Sequence, residues 1–485
     1  MKTASLTRII FYFLLPMIFL GSYLVTAVNE VNYGLNRDYA EGTTLAFVEK
    51  FRNAESLKSV YSEEALEKSE IVGYPFLHLS LVSSFSHNAN STLTSGRTIS
   101  VISALLIALL AWMILFKSTV QNLKYLPLLA VLILYQSAVF DWSLLARADL
   151  LAALFEVLGI LLFAKSVQHS KRSYAAPFVC FILAFLCKQN FIAGPLLIAG
   201  YQLFNNRRSL LKATPLILVG VALLGTAITW VLGPSYWQHT VTQLQEQSFH
   251  FSRLLEMGSG YLVAHLFLFA LAFVGFRTSQ HQLSKKFLPL WFAITALLVL
   301  LGLGRSGSNF NYFISMSIPL GLLAFLGIQE ILKLKLNSQS VGILALLLFS
   351  FSLNYAENHN LAGKFTYLSH RAWPPTRHNP ESALATTKEY LNQAGAKAVF
   401  CDEPGVCALM AYPVNYMYFE NQMNAETFTA VDLIAKYDAL LFTEYPDKNL
   451  AWTKFKLPKG LLENLNTEYE LQRITDLGFI FVRRK

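Results

Sequence analysis

Eleven long apolar runs decide what this chain can become; they fall at residues 9–28, 98–116, 123–140, 149–164, 175–186, 191–204, 213–232, 260–276, 287–304, 312–328 and 340–355. No water reaches the hydrocarbon of a bilayer, so a segment crossing it must satisfy its own backbone, and about 20 apolar residues do so as a helix. The sequence therefore predicts an all-α polytopic membrane bundle of about 11 transmembrane helices. Charge divides the chain in two: of 69 charged residues, 40 lie in the first 355 positions and 29 in the last 130, the latter close to the roughly 25% of a soluble domain. Residues 1–355 read as the membrane part and 356–485 as a separate globular domain.

The net charge of +9 does not mark a nucleic-acid surface, because the last 130 residues are nearly balanced, with 14 basic and 15 acidic side chains. The excess lies between the spans and has a topological meaning. Fifteen basic residues, from Lys2 and Arg8 through Lys124, Lys171, Arg208 and Lys286 to Lys335, fall in alternate loops, whereas the short loops of the other side hold only Arg147, Lys188, Arg253 and Arg305. The positive-inside rule then places the N-terminus in the cytoplasm and the C-terminal domain outside. A run at 72–85, headed by Tyr74-Pro75, is too short to span comfortably and would invert every later loop if it did. It is expected to be an interfacial or re-entrant helix within a first external loop, residues 29–97. The opening run is longer than a signal-peptide core and is expected to be a retained anchor.

Sidedness sorts the unusual residues. Asp38, Glu41, Asp141, Arg147, Asp149, Lys188, Gln189, Arg305, Asn309 and Asn311 all fall at span ends on the external side, where charges facing lipid are costly and should turn into the bundle or a wet cavity. Asp38 and Glu41 stand three apart at the start of the helix implied by Leu45, Val48 and Phe51. Two such carboxylates can serve as a base and its support; alternatively, Asp38 caps the helix and Glu41 is solvated. Arg147, Lys188 and Arg305 each could be a snorkelling end residue, but three cations on the charge-poor face suit an anion held at the membrane surface, such as a lipid phosphate. Arg147 and Asp149 could instead pair with each other.

Other features bound the chemistry. No phosphate-cradling glycine loop, nucleotide fingerprint or Cys/His metal cluster occurs, which disfavours an ATP-driven cytoplasmic activity. No cofactor is implied; two carboxylates could recruit a divalent ion, but no complete ligand set is visible. Cys180 and Cys187 lie within a span and pack as small apolar residues. Cys401 and Cys407 flank a turn where an oxidising compartment permits a disulfide, and the sequence leaves that open. In the C-terminal domain, a helical run at 384–394 and short apolar strands at 398–401, 439–442 and 479–482 predict a small α/β fold.

At these residues the sequence resembles the membrane glycosyltransferases of the GT-C type, the superfamily of dolichyl-phosphate-mannose protein mannosyltransferases (family 39) and their bacterial relatives. The resemblance rests on Asp38-Tyr39-Ala40-Glu41-Gly42 after the first span, Tyr74-Pro75 opening a loop helix, and Gly96-Arg97 leading into the second span. It continues through Ala146-Arg147-Ala148-Asp149, Lys188-Gln189 between two spans, and Asn311-Tyr312-Phe313. Phe76 stands where a second proline is frequent, and the C-terminal domain carries no match.

The resemblance implies a GT-C-like fold and an inverting transfer of a hexose or pentose from a polyprenyl-phosphate carrier on the extracytoplasmic face. The acceptor hydroxyl would belong to a glycolipid such as lipid A, a glycan or a protein. Asp38 would be the general base, Glu41 would orient the acceptor or support that base, and Arg147, Lys188 and Arg305 would stabilise the departing phosphate. Asp149, Gln189, Tyr74, Arg97 and Asn311 would complete the substrate site. Short loops and compact size suit a bacterial inner membrane. The alternative is a transporter or flippase of a lipid-linked sugar, although such proteins usually place substrate groups near the bilayer midplane on internally repeated elements.

Overall fold

The computed structural model describes residues 10–67, 72–115, 120–168, 175–242, 248–278, 282–305, 308–333, 380–401, 404–412, 437–442, 465, 467–475 and 477–484. Among them, α-helices of six residues or more run as α1 Leu15–Val31, α2 Tyr39–Asn53, α3 Phe76–Ser84, α4 Ala89–Leu115, α5 Leu126–Leu134, α6 Ser137–Ser143 and α7 Asp149–Gln168. They continue as α8 Ala175–Cys187, α9 Ala193–Asn205, α10 Arg207–Leu232, α11 Phe251–Ala264, α12 Leu266–Thr278, α13 Gln282–Leu303 and α14 Ile314–Lys333. Ten of the eleven expected spans are thus helical, and the run at 340–355 lies outside the described residues. Among the described residues, four helices are long and apolar enough to cross a membrane unaided, and three bent pairs would bring the number to seven.

Two expected spans are not single helices. The run at 123–140 breaks between α5 and α6 with a bend of 89°, and the run at 260–276 breaks between α11 and α12 with a bend of 73°. Hydropathy reports apolar length and carries no direction, so it cannot register such corners. The corners meet, and that satisfies them: Gln136 Nε2 donates to the carbonyls of Leu132 and Ser317 at 2.7 Å each, while Tyr261 Oη donates to Gln136 Oε1 at 2.9 Å. Ser137 Oγ lies 3.2 Å from His265 Nε2. A backbone break is tolerable at membrane depth when protein groups take up its polar atoms in this way.

The bundle core joins α4, α5, α7, α13 and α14, with Ala104, Ile133, Val157, Trp291 and Leu320 among its fully enclosed residues. α12 and α14 cross most closely, because Gly275 and Gly327 face each other there; a Cβ on either would strike the carbonyl of Leu323 or Leu271. Close crossings at small residues are a usual way for helices to associate in lipid. The expected short loop helix is α3, entered through Pro75, whose φ of −59° suits a helix start.

The C-terminal part adds α15 Pro380–Gln393, β1 Val399–Cys401, α16 Pro404–Leu409, β2 Ala439–Phe442, β3 Tyr469–Thr475 and β4 Gly478–Arg483. The sheet order is β1-β2-β4-β3, with β1 parallel to β2 and the other two pairings antiparallel. β2 reads Ala-Leu-Leu-Phe without alternation because both faces are covered: Leu440 and Phe442 pack with Phe400 and Phe481, Ala439 and Leu441 with Leu391 and Ile480. β3 escaped the sequence reading because, from Glu470 to Arg473, it is exposed and largely polar. Cys401 and Cys407 are joined in a disulfide.

Candidate active site

The first external segment is organised around Glu41. Asp38 leaves the helical region at φ −145°, ψ 167°, and its Oδ1 accepts the Glu41 N–H at 2.6 Å, which makes it the N-cap of α2. Glu41, one turn on, is fully enclosed; its carboxylate accepts Arg97 Nε at 2.8 Å, Arg97 Nη2 at 2.7 Å, the Arg37 N–H at 2.7 Å and the Ala146 N–H at 2.7 Å. The rest of the Arg97 fork donates to the carbonyls of Glu30, Tyr33 and Leu35. Glu41 and Arg97 therefore form a frame, and neither lines the cavity described next. The capping expected of Asp38 is present and uses one of its oxygens; the solvated Glu41 of that alternative is not, because Glu41 is enclosed and paired with Arg97.

Asp38 lines a cavity of about 910 Å³. Asp38, Tyr74, Arg147, Lys188, Gln189, Arg305 and Asn311 all line it, so most of the residues singled out from the sequence share one space. Asp149 sits just behind. Its Oδ1 accepts Lys188 Nζ at 2.6 Å and Asn311 Nδ2 at 2.8 Å, and its Oδ2 lies 3.4 Å from Arg147 Nε. Arg147 reaches across to Asp38 Oδ2 at 3.7 Å and donates to Tyr74 Oη at 3.2 Å. Gln189 Nε2 donates to the carbonyls of Gly73 and Thr240 and ties the α8–α9 break to the loop before α3.

Electrostatics separate the cations into two kinds. Lys188 and Arg147 are held by Asp149, whereas Arg253 and Arg305 line the same cavity with no carboxylate partner among the described residues. Arg253 is fixed by Ser308, donating from Nε to its Oγ at 3.1 Å and from Nη2 to its carbonyl. Sequence reasoning saw Arg253 only as one of four basic residues on the charge-poor side; its sparse company was the available signal. Burial raises the Asp38 carboxyl above the usual carboxylate range, against the pull of Arg147. Burial also lowers Lys188 from 10.5 to about 8, although Asp149 opposes it.

Apolar side chains of Phe185, Ile192, Trp237, Val241, Leu298 and Leu301 also line the cavity, together with polar ones such as Thr43, Thr295 and Asn309. Trp237 and Val241 reach it because the chain turns by 104° after α10, at Gly233, whose φ is +88° and so suits a residue without a Cβ. Such a cavity can hold an anion near its cations, a hydroxyl near Asp38 and a hydrocarbon chain along its apolar side. Among the described residues, no group of three or more His, Cys, Asp or Glu side chains is placed to hold a metal ion.

No protein-family model and no curated protein matches this chain. Two crystal structures of ArnT from Cupriavidus metallidurans are similar to it, one bound to undecaprenyl phosphate and one in the apo state. Each is 12% identical, with 96% of this chain and 97% of that chain covered, and the TM-scores are 0.59 and 0.57. The chain therefore has an ArnT-like fold over nearly its whole length.

Proposed function

We propose that the chain is a membrane glycosyltransferase that moves a sugar from a polyprenyl-phosphate carrier to an acceptor hydroxyl on the extracytoplasmic face. The observation that carries this reading is the single cavity in which Asp38 faces Arg147 and Lys188, with Arg253 and Arg305 beyond them and an apolar wall alongside. The ArnT fold supports it, since a structure of that protein holds undecaprenyl phosphate. In this reading Asp38 takes the proton of the acceptor hydroxyl as its oxygen bonds to the anomeric carbon. The bond from that carbon to the phosphate oxygen breaks, its electron pair leaves with the polyprenyl phosphate, and one displacement inverts the centre.

Asp149 holds Lys188 and Arg147 toward the leaving phosphate, a role to which preorganised cations are suited. Tyr74, Gln189 and Asn311 fix those cations and their loops, while Glu41 and Arg97 support the base through the frame. Residues 1–355 are the transfer domain, 356–485 the extracytoplasmic domain, and a bacterial inner membrane with a cytoplasmic N-terminus is the setting. The test is mass spectrometry of cell-envelope glycolipids and glycoproteins from cells lacking the protein, complemented with wild type or Asp38→Asn. Wild type restores a sugar that Asp38→Asn does not; restoration by Asp38→Asn removes the base and with it this reading.

A further inference from the structure

The cap turn that carries Asp38 is covered by the C-terminal domain. α16 lies on it glycine against glycine, beside the Asn36 side chain: a Cβ on Gly42 would stand 2.8 Å from the Gly405 nitrogen, and one on Gly405 would stand 2.6 Å from Asn36 Oδ1 and 2.8 Å from Gly42 Cα. Asn36 belongs to both sides of this contact. Its Nδ2 donates to the Asp38 carbonyl at 3.1 Å, while its Oδ1, buried without a hydrogen-bond partner, is the atom nearest that added Gly405 Cβ. One turn further along α16, Ala408 packs with Leu45, Ala89, Leu93 and Ala146, and the Ala146 N–H is one of the donors that hold Glu41. Leu35, whose carbonyl accepts from Arg97, packs into the cluster of Val406, Cys407 and Ile480.

α16 is fixed in its turn. The Cys401–Cys407 disulfide ties it to the end of β1, and both cysteines are buried. The chain from the sheet to Asp38 is therefore continuous: strand, disulfide, α16, glycine contact, cap turn.

We propose that the C-terminal domain is a positioning clamp for Asp38, acting through the Gly405–Gly42 contact and dependent on the Cys401–Cys407 disulfide. This rests on the reading of Asp38 as the base. It assigns a task to a domain that the sequence left without one: keeping the cap turn seated against the cavity wall. Displacements of about 1 Å are enough to lower a rate by about 100-fold.

The test labels Asp38 in the purified full-length protein with dicyclohexylcarbodiimide, an apolar reagent that bonds to a protonated carboxyl, and reads the extent by peptide mass spectrometry across pH. Gly405→Leu should lower the midpoint of Asp38 labelling toward the ordinary carboxylate range, because a loosened turn lets water in. Wild type reduced by dithiothreitol should do the same; the reagent delivers two electrons and two protons to the disulfide and closes its own. Affinity for undecaprenyl phosphate should stay unchanged in both. Gly225→Ala, where an added methyl group meets nothing within 4 Å, is the control. Should Gly405→Leu fail to fold, the reduced protein and Cys401→Ser/Cys407→Ser carry the test. Identical labelling profiles in all these proteins overturn the clamp and leave the base standing, whereas sugar transfer by Asp38→Asn overturns the base whatever the profiles show.

Discussion

Glu41 and Arg97 meet as a two-pronged ion pair, at 2.8 and 2.7 Å, with neither side chain exposed to solvent. Such a pair contributes little net stability as a pair, but removing one partner strands the other charge at a cost of about 3–5 kcal/mol. Glu41→Gln should therefore lower the thermal midpoint of the detergent-solubilised protein sharply and reduce its yield. Differential scanning fluorimetry checks this, and an unchanged midpoint would show that the frame does not depend on the charge.

Asp38 should behave in the opposite way. Asn caps a helix about as well as Asp, whereas Ala forfeits about 1 kcal/mol. Asp38→Asn should keep the wild-type thermal midpoint and lose sugar transfer, and Asp38→Ala should lose both transfer and a small part of the stability. The contrast with Glu41→Gln separates the group that does chemistry from the one that builds its frame. Parallel melting curves and transfer assays on the three variants decide it.

Much of this was legible in the sequence, and the limits have physical causes. Apolar length located ten runs that are helical, because a bilayer imposes a length on anything that crosses it. It did not locate the corners at Gln136 and His265, whose hydrogen bonds join residues more than 100 positions apart. The acidic motif, Arg147 and Lys188 were identifiable because charge at a span end is expensive and so has a reason, and Asn311 as a polar group at such an end. Arg97 stood out only through the Gly96-Arg97 element of the resemblance, and its donors all serve the loop frame. The glycine contact of α16 left no trace, since a single Gly carries no pattern and its partner is far away in sequence.

Arg253 and Arg305 supply the cavity's unbalanced positive charge. A ligand phosphate should therefore gain most from them, because among the described residues no carboxylate pairs with them. Arg305→Gln should weaken undecaprenyl phosphate binding by roughly tenfold or more, the loss of one charge-assisted contact of about 1.5–3 kcal/mol. Arg253→Lys should weaken it too, since an ammonium cannot reproduce the two-pronged grip on Ser308. Titration calorimetry in detergent reads both, and wild-type affinity in the Arg305→Gln protein would move the phosphate elsewhere.

The dependence of kcat/KM on pH should be bell-shaped, because it reports ionisations of the free enzyme. Asp38 must be ionised to accept a proton, and burial raises its pKa, so the acid limb should lie above the usual carboxylate value of about 4. Lys188 titrates at about 8; above that pH its charge is lost and the alkaline limb begins. Lys188→Arg keeps its charge to beyond about pH 12 and should carry the alkaline limb well upward. Stability follows the same group with a definite sign. Between about pH 8 and its unperturbed 10.5 the unfolded chain holds a proton on Lys188 that the folded protein has released, so the contribution of this group to stability rises with pH in that window. An alkaline limb that stays near pH 8 in Lys188→Arg would assign it to another residue and free Lys188 from the phosphate.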